Sequence, residues 1–485
     1  MADMLQMTDV KQACVNFMLA HLDVDNCIGF FNFSEQYNCE ELNIKAQQVI
    51  KLAFSIVCHK EEFLQLSAAR LKHILSWRDI KLGPPGEDGV LQSVVRWLKH
   101  DVDMRAPEFA GILQQVRVHD VSEKCYENML QNEPFVEDKD LEEAVKSAWH
   151  STIERPRRTP PYFVFVFAGC LQSRIGFSSP RLRTVEKLDI LSREWTESTQ
   201  IPKHASIIDV FNVAGRLLCF VCRAHDGALQ VRVSFAELYE YKYYMNTWEL
   251  LRDSMSDGVI HCLFESHFDY GAHVYSESQR RLYIVTWHMA SYVDITIDED
   301  SGEGDISMRQ VEQFPCIDAF SDIKHRDFVL VICTGRLYCL GGMRFESLSE
   351  RYVLSTTYAF DSETRSWMPK ADMLQGRASF AAVEMSGNIY VIGGFSGQRL
   401  KAVEMYNSAT DMWTVLTSMW KVRTYMAAVT VNNKIYVMGG QSYSRSMGDG
   451  RKVLASCETY DPVSDTWTLE SNMLAARCLF DAVVV

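Results

Sequence analysis

A short strand pattern that ends in two adjacent glycines recurs along the C-terminal part of this 485-residue chain. It is clearest in the segments RLYCLGG (336–342), NIYVIGG (388–394) and KIYVMGG (434–440). β-branched and aromatic residues favour strands, whereas glycine weakens them, so each glycine pair marks the end of a strand. A strand that ends in the same way three times predicts a repeat, and a repeat constrains the architecture of the whole region that contains it.

A tryptophan follows an aromatic or apolar residue by seven positions in each of five segments. The pairs are Leu188 and Trp195, Tyr241 and Trp248, Phe360 and Trp367, Tyr406 and Trp413, and Tyr460 and Trp467. A period near 50 residues with several short strands per copy predicts a β-propeller. Three copies are well formed, and three degenerate copies replace the glycine pair with Ala168-Gly169, Val221-Cys222 and Thr286-Trp287.

The two ends of the repeat array predict how the propeller closes. A strand precedes most of the glycine strands, but a proline-rich segment precedes the first one, and the unpaired strand 476–485 ends the chain. We expect this last strand to complete the first blade, which removes two exposed sheet edges. Glycine is expected at the strand end because it permits a positive φ and a close backbone approach.

The N-terminal part has a different pattern. Apolar residues recur at helical spacing in 8–22, 43–57 and 88–102, which predicts helices. The basic, proline-rich segment STIERPRRTPP (151–161) predicts a linker.

Both parts resemble one family. The glycine pair with its later tryptophan resembles the Kelch repeat, and residues 22–30, 61–67, 94–101 and 112–118 resemble the BACK domain of Kelch-like (BTB–BACK–Kelch) proteins. The resemblance covers nearly the whole chain. It implies an α+β multidomain protein: an N-terminal all-α BACK-like helical domain (1–150), a linker (151–161) and an all-β six-bladed Kelch propeller (162–485) that the C-terminal strand closes.

Family members carry a BTB domain before the BACK domain, and this sequence begins at MADMLQM without one. In the family the BTB domain forms the dimer and supplies most of the contact with cullin-3, which the first BACK helices share. We therefore expect a monomer with weak cullin-3 binding, and a dimer where a longer form carries a BTB domain. Two interpretations stay open: the chain is a fragment of a longer protein, or it is a natural isoform without a BTB domain.

The resemblance implies a substrate-recognition adaptor of a cullin-3 RING ubiquitin ligase that binds its target protein or peptide through the propeller. The alternatives are a cytoskeletal, actin-associated scaffold and a BTB-less isoform that competes with the full-length adaptor. An enzyme is not expected, because the sequence has no Gly-Lys-Ser/Thr phosphate loop, no Gly-x-Ser-x-Gly and no His-Glu-x-x-His. No cofactor or metal is expected either. Cys219 and Cys222 form a C-x-x-C, but in the predicted strand residues three apart face opposite sides, so buried thiols are expected instead of a metal site.

Composition restricts partners and compartment. The net charge of −14 argues against nucleic acid as a partner, because phosphate contacts need clustered Lys and Arg. No apolar run approaches the ~20 residues of a membrane helix. Fourteen cysteines without a signal peptide favour free thiols in a reducing, cytoplasmic compartment.

Arginines in the connections between repeats are candidate partner contacts. Arg377, Arg423 and Arg477 precede the inner strand of three copies, and Arg326 is roughly equivalent in the fourth. Two interpretations stay open for these residues: contact with an acidic or polar peptide, or a structural role in which each guanidinium binds loop carbonyls.

The loops after the glycine pairs supply a second set of candidates. The set consists of Arg344, Phe345, Gln398, Arg399, Tyr443 and Arg445. By the resemblance, these loops lie on the propeller face that receives partners. We expect them to bind, because the tips of surface loops have few structural duties.

Overall fold

A computed structural model places the chain in two compact units, Met1–Pro161 and Tyr162–Val485. It describes residues 8–82, 86–132, 139–150, 162–170, 182–203, 205, 207–213, 216–225, 232–243, 245–251, 255–268, 272–298, 305–308, 311–317, 324–346, 350–443 and 451–485. The first unit is helical and the second is built of antiparallel sheets, which confirms the predicted fold class. The predicted linker 151–161 lies outside the described residues.

The helical unit contains ten α-helices among its described residues. They are α1 (Thr8–Ala20), α2 (Cys27–Gln36), α3 (Glu40–Leu52), α4 (Phe54–Val57), α5 (Glu61–Leu64), α6 (Ala68–Ser76), α7 (Glu87–His100), α8 (Val102–Leu113), α9 (Glu123–Asn132) and α10 (Lys139–Trp149). Helix α7 buries Val90, Val94 and Leu98, which lie four residues apart on one helix face. Helix α8 begins where the Asp101 carboxylate accepts a hydrogen bond from the Met104 N–H (3.2 Å), which satisfies a free donor of the first turn.

The described residues of the second unit form six four-stranded antiparallel sheets, which we call blades 1 to 6. The strands are, in blade 1, β1 (Phe163–Phe167), β2 (Val185–Asp189), β3 (Glu194–Ser198) and β31 (Asp481–Val484); in blade 2, β4 (Ile207–Val213), β5 (Arg216–His225), β6 (Arg232–Lys242) and β7 (Thr247–Leu251); in blade 3, β8 (Ala272–Ser276), β9 (Arg281–Val285), β10 (Ala290–Asp294) and β13 (Val311–Gln313); in blade 4, β15 (Val329–Cys333), β16 (Arg336–Leu340), β19 (Thr357–Asp361) and β20 (Ser366–Lys370); in blade 5, β21 (Ala381–Met385), β22 (Asn388–Phe395), β23 (Arg399–Asn407) and β24 (Met412–Leu416); and in blade 6, β25 (Ala427–Val431), β26 (Lys434–Met438), β29 (Cys457–Asp461) and β30 (Thr466–Glu470).

The innermost strands of neighbouring blades contact one another around a complete ring. The order of contact is β31, β4, β8, β15, β21, β25 and again β31. Strand β31 at the end of the chain pairs antiparallel with β1, from Val164 opposite Val484 to Phe167 opposite Asp481. The last strand of the chain is therefore the inner strand of the first blade, so main-chain hydrogen bonds close the ring and the inner edge of β1 is paired.

The glycine pairs lie where the backbones of two blades meet. Gly393 and Gly394 have φ values of +59° and +99°, a region that side chains disfavour. A Cβ on Gly393 would lie 2.8 Å from the carbonyl oxygen of Arg423 in blade 6, and one on Gly394 would lie 2.8 Å from that of Ala378 in blade 5. No side chain fits between these carbonyls. In blade 5 the strand does not end at the pair, as the sequence predicts, but shifts its pairing register there and continues to Phe395.

The repeat tryptophans connect each blade to the one before it. In five blades the indole N–H donates to a carbonyl just after the outer strand of the preceding blade. These bonds are Trp195 to Ser471 (3.1 Å), Trp248 to Thr199 (3.3 Å), Trp367 to Pro315 (2.9 Å), Trp413 to Ala371 (2.8 Å) and Trp467 to Thr417 (2.8 Å). The bond of Trp195 spans the closure between blades 1 and 6.

Blades 2 and 3 carry additions that the repeat does not predict. Helix α11 (Asp257–Phe268) connects the two blades and packs Val259 and Leu263 into their core. Strand β11 (Thr296–Asp298) pairs antiparallel with β12 (Asp305–Ser307). None of the helices in the described residues has the length and apolar character needed to cross a membrane.

Candidate functional site: the connection face of the propeller

Two kinds of connection leave the sheets at the same end of blades 4, 5 and 6. In blade 5 the residue Ala378, just before β21, forms a bridge with Phe395 at the end of β22, and Phe395 pairs with Arg399 at the start of β23. The connection into β21 and the one from β22 to β23 therefore lie together. We define the connection face as the described residues within 343–353, 371–377, 395–401, 417–423, 441–453 and 471–477.

Small sheets extend the within-blade connections beyond the glycine pairs. Strand β17 (Met343–Phe345) pairs with β14 (Lys324–Arg326) and β18 (Arg351–Val353) in blade 4, and β27 (Gln441–Tyr443) pairs with β28 (Arg451–Val453) in blade 6. The backbone of these loops is thus held by strand pairing, which gives their side chains defined positions.

The three equivalent arginines are fully buried. Arg423 donates to the carbonyl oxygens of Gly439 (2.6 Å) and Ser456 (2.8 Å) and to the carboxylate of Glu458 (2.8 Å). Its own carbonyl oxygen accepts the N–H of Gly394 from the preceding blade (2.9 Å). One arginine therefore binds both the strand end of its own blade and the glycine turn of its neighbour.

Arg377 and Arg477 repeat this arrangement. Arg377 binds Gly393 and pairs with Glu404, and Arg477 binds Ala168 and pairs with Glu186. Burial lowers the pKa of both arginine side chains, and the paired carboxylates oppose that shift.

This geometry matches the structural alternative for the arginine set. Arg377, Arg423 and Arg477 have 0% exposed surface, so a partner bound to this conformation does not touch them. The contact interpretation of these three residues is corrected accordingly: the carbonyls that they bind belong to the protein's own turns.

His325, rather than Arg326, occupies the equivalent position in blade 4. Phe328 lies against Gly342 as Phe380 lies against Gly394, so His325 aligns with Arg377. His325 is buried, whereas the guanidinium of Arg326 lies over the ring of Phe345. The equivalent position is therefore residue 325, one before the Arg326 that the sequence indicated as roughly equivalent.

The loop candidates of blade 4 lie at the surface. Arg344 is partly exposed and forms an ion pair with Glu346 (3.0 Å). The guanidinium carbons of Arg326 and Arg351 lie 5.3 and 5.5 Å from the centroid of the Phe345 ring, within the range of cation–π contacts. Both residues remain predicted contacts.

The loop candidates of blades 5 and 6 are also at the surface. Gln398 is exposed in a tight turn that the Ser396 N–H closes on the Gln398 carbonyl oxygen (2.9 Å), and Arg399 is partly exposed beside it. Tyr443 is 62% exposed. Arg445 lies outside the described residues. These residues also remain predicted contacts.

Three large apolar residues on the connection face were missed in the sequence. Leu374, Trp420 and Leu474 are 62%, 67% and 60% exposed, and each follows a buried methionine. The signal is visible in the segments MLQGR (373–377), MWKVR (419–423) and MLAAR (473–477), where the residue after methionine is large and apolar every time.

The side chains that suggested other chemistry have structural surroundings. Cys219 and Cys222 are fully buried in β5, and burial raises the pKa of Cys222 to about 12, which keeps it a thiol. Within the part of the chain that the structure describes, no group of three or more His, Cys, Asp or Glu side chains is placed to hold a metal ion.

Comparison with known families matches both units. Residues 27–131 match the BACK family (BTB And C-terminal Kelch), and residues 325–374, 376–419 and 423–474 match the Kelch motif. The matched Kelch segments correspond to blades 4, 5 and 6, which contain the three well-formed copies of the repeat.

Curated relatives point to the same family. Kelch-like protein 23 of Mus musculus is 35% identical over 117 residues, which cover 24% of this chain and 21% of the relative. Kelch-like protein 7 of Mus musculus is 35% identical over 137 residues, which cover 28% and 23%. The chain thus spans about a fifth of the length of the curated relatives that it matches. By its BACK domain and the Kelch repeats that follow it, the chain belongs to the Kelch-like protein family.

Proposed function

We propose that the protein is a cytoplasmic substrate-recognition adaptor of a cullin-3 RING ubiquitin ligase, in which the propeller holds the target protein and the helical unit contacts the ligase. The observation that carries the proposal is the combination of a BACK domain with a closed propeller whose connection face presents exposed side chains on a fixed backbone. Binding through such pre-formed loops loses little conformational entropy.

The exposed side of α1 supports a contact made by the helical unit. Val10, Cys14 and Phe17 are exposed and are separated by four and three residues, so they lie along one side of the helix. Phe17 is 64% exposed. Exposed apolar residues aligned on one helix provide the kind of surface that a partner helix covers.

Binding to cullin-3 tests the ligase part of the proposal. We expect the full chain to bind the purified N-terminal domain of cullin-3 in isothermal titration calorimetry, and Phe17→Asp to weaken this binding by tenfold or more, which is about 1.4 kcal/mol. Ile44→Asp on α3 is the matched control, because Ile44 is also exposed and apolar but lies on another helix.

Three outcomes would contradict this assignment. Absence of binding at high micromolar cullin-3, or equal losses in the two variants, would remove the proposed role of α1. Co-sedimentation of the chain with actin filaments, without cullin-3 binding, would favour the cytoskeletal scaffold.

A further inference from the structure

Leu374, Trp420 and Leu474 hold equivalent places in three successive blade-to-blade connections. The backbone N–H of each donates to a buried carboxylate, respectively that of Glu404, Glu458 and Glu186, at 2.7 Å in every case. Their backbone is thus fixed from below by the same carboxylates that pair with the buried arginines, while the side chains stay in solvent. Because the backbone that carries each side chain is already fixed, a partner that covers it loses little backbone entropy.

Trp420 has the most restrained side chain of the three. Its indole N–H donates to the carbonyl oxygen of Trp467 in the outer strand of blade 6 (3.1 Å), although two thirds of the residue is exposed. Single exposed apolar residues are ordinary on protein surfaces, but an exposed tryptophan in a fixed orientation has the character of a binding hot spot.

Each of these residues lies beside the within-blade connection of the preceding blade. The N–H of Met373 donates to Ser355 O (2.8 Å), next to the end of β18, and the N–H of Met419 donates to Lys401 O (2.9 Å) in blade 5. The N–H of Met473 donates to Ala455 O (2.9 Å), just after β28. The apolar residues and the loop candidates therefore form one continuous arc over blades 4, 5 and 6 and the start of blade 1.

The arc is positively charged on an otherwise acidic protein. Among the side chains that the structure describes there, those with exposed surface include six cations and three acids, whereas the chain as a whole carries −14. The cations are Arg344, Arg351, Arg399, Lys401, Lys421 and Lys452, and the acids are Glu346, Glu350 and Asp372. Such a surface attracts an acidic partner and repels a basic one.

We propose that this arc binds an acidic polypeptide segment that carries large apolar side chains, with Trp420 as the main anchor and Leu374 and Leu474 as flanking contacts. The inference rests on the proposed function, because it specifies the class of target that the propeller would hold. Apolar contact supplies most of the affinity, and the cations select acidic residues beside the apolar ones.

A random 12-residue peptide library, displayed on phage and selected on the immobilised full chain, tests this assignment. We expect the selected peptides to combine Asp or Glu with Leu, Phe or Trp. Synthetic copies should bind at least tenfold more weakly to Trp420→Ala and to the Leu374→Ser/Leu474→Ser variant. Binding should also weaken as salt rises from about 0.05 to 0.5 M, because exposed charges are screened.

The matched control is Leu191→Ser/Val463→Ser. These residues are 71% and 94% exposed. Leu191 lies in the turn between β2 and β3 of blade 1, and Val463 lies in the turn between β29 and β30 of blade 6, both away from the connection face. This variant should change the affinity less than twofold. Unchanged melting temperatures for all variants would exclude unfolding as the cause of a loss.

Selected peptides that are basic, or that bind Trp420→Ala as tightly as the original chain, would overturn the inference. Peptides that instead lose affinity with Tyr425→Ala, beside the innermost strand, would also overturn it while leaving the propeller as the target-binding part. Cullin-3 binding is measured separately and should not change in Trp420→Ala, so failure of the inference and failure of the proposed function are distinguishable.

Discussion

Arg423 shows how a single residue can contact two blades. Its guanidinium satisfies two carbonyl oxygens and a carboxylate within blade 6, and its carbonyl oxygen receives a glycine N–H of blade 5. A buried polar group that loses its hydrogen-bond partner raises the free energy of the folded state. The carbonyls and the carboxylate that Arg423 binds therefore favour this position of its side chain.

We predict that Arg423→Leu destabilises the propeller by about 3–5 kcal/mol, because the carboxylate of Glu458 would stay buried without its cation. Urea unfolding followed by tryptophan fluorescence measures the change. Arg336→Leu is the control, since Arg336 is exposed at the start of β16, and it should alter the free energy of unfolding by less than about 0.5 kcal/mol. Similar effects of the two substitutions would mean that the buried network contributes little.

The sequence reveals the repeated arginine but not its role. An arginine at a fixed distance before a strand is compatible with an outward contact and with an inward one, and only the position of Glu404, Glu458 and Glu186 decides between them. Glu404 and Glu458 lie on the third strands of blades 5 and 6. Glu186 lies in blade 1, nearly 300 residues from its arginine along the chain. Trp420 was missed for a different reason, because a strand pattern gives no information about which residues of a connection stay in solvent.

At the level of whole strands, the hydrogen bonds of the repeat tryptophans connect neighbouring blades. Each one joins the start of an outer strand to a carbonyl within two residues of the end of the outer strand of the preceding blade. In blades 5 and 6 a tyrosine adds a second link. Tyr460 donates to Asp465 (2.7 Å), and the carboxylate of Asp465 accepts the N–H of Thr417 (3.0 Å) in blade 5.

We predict that Trp413→Ala destabilises the propeller by about 3–5 kcal/mol, the usual cost of emptying a buried aromatic site. Trp413 is 8% exposed and packs against Tyr406, with ring centroids 5.1 Å apart. Trp420→Ala, seven residues later, should cost less than about 1 kcal/mol, because Trp420 is mostly in solvent. Thermal unfolding of both variants makes the comparison, and equal losses would contradict the assignment of Trp413 to the blade interface.

At this scale the sequence predicts the regular elements well and the added ones poorly. The glycine pairs, the tryptophan spacing and the strand that ends the chain all correspond to elements of the structure. Helix α11 does not follow from the repeat, because it occurs once among the described residues and so creates no periodic signal.

The whole propeller depends on contacts between residues at its two ends. Strand β31 pairs with β1, Trp195 bonds to Ser471, and Arg477 pairs with Glu186. The closure is therefore made by main-chain, indole and ionic contacts together, each of which joins residues about 270 or more positions apart along the chain.

We predict that deletion of residues 476–485 prevents cooperative unfolding of the propeller. The deletion removes β31 and Arg477, which exposes an edge of β1 and leaves Glu186 without its partner. Differential scanning calorimetry of the truncated and complete chains measures the change, and a synthetic peptide of residues 476–485 added in trans should restore part of it. A truncated chain that melts as sharply and at the same temperature would disprove the dependence on closure.

Because β1 pairs with the last strand, the first blade stays incomplete while the rest of the chain is synthesised. The outer three strands of blade 1 leave the ribosome about 290 residues before Val485 is added. At roughly 5–20 residues per second, that interval lasts on the order of 15–60 s. During this time the apolar strand Phe163–Phe167 has no inner neighbour, so the nascent propeller passes through a period with an exposed strand edge before its ring can close.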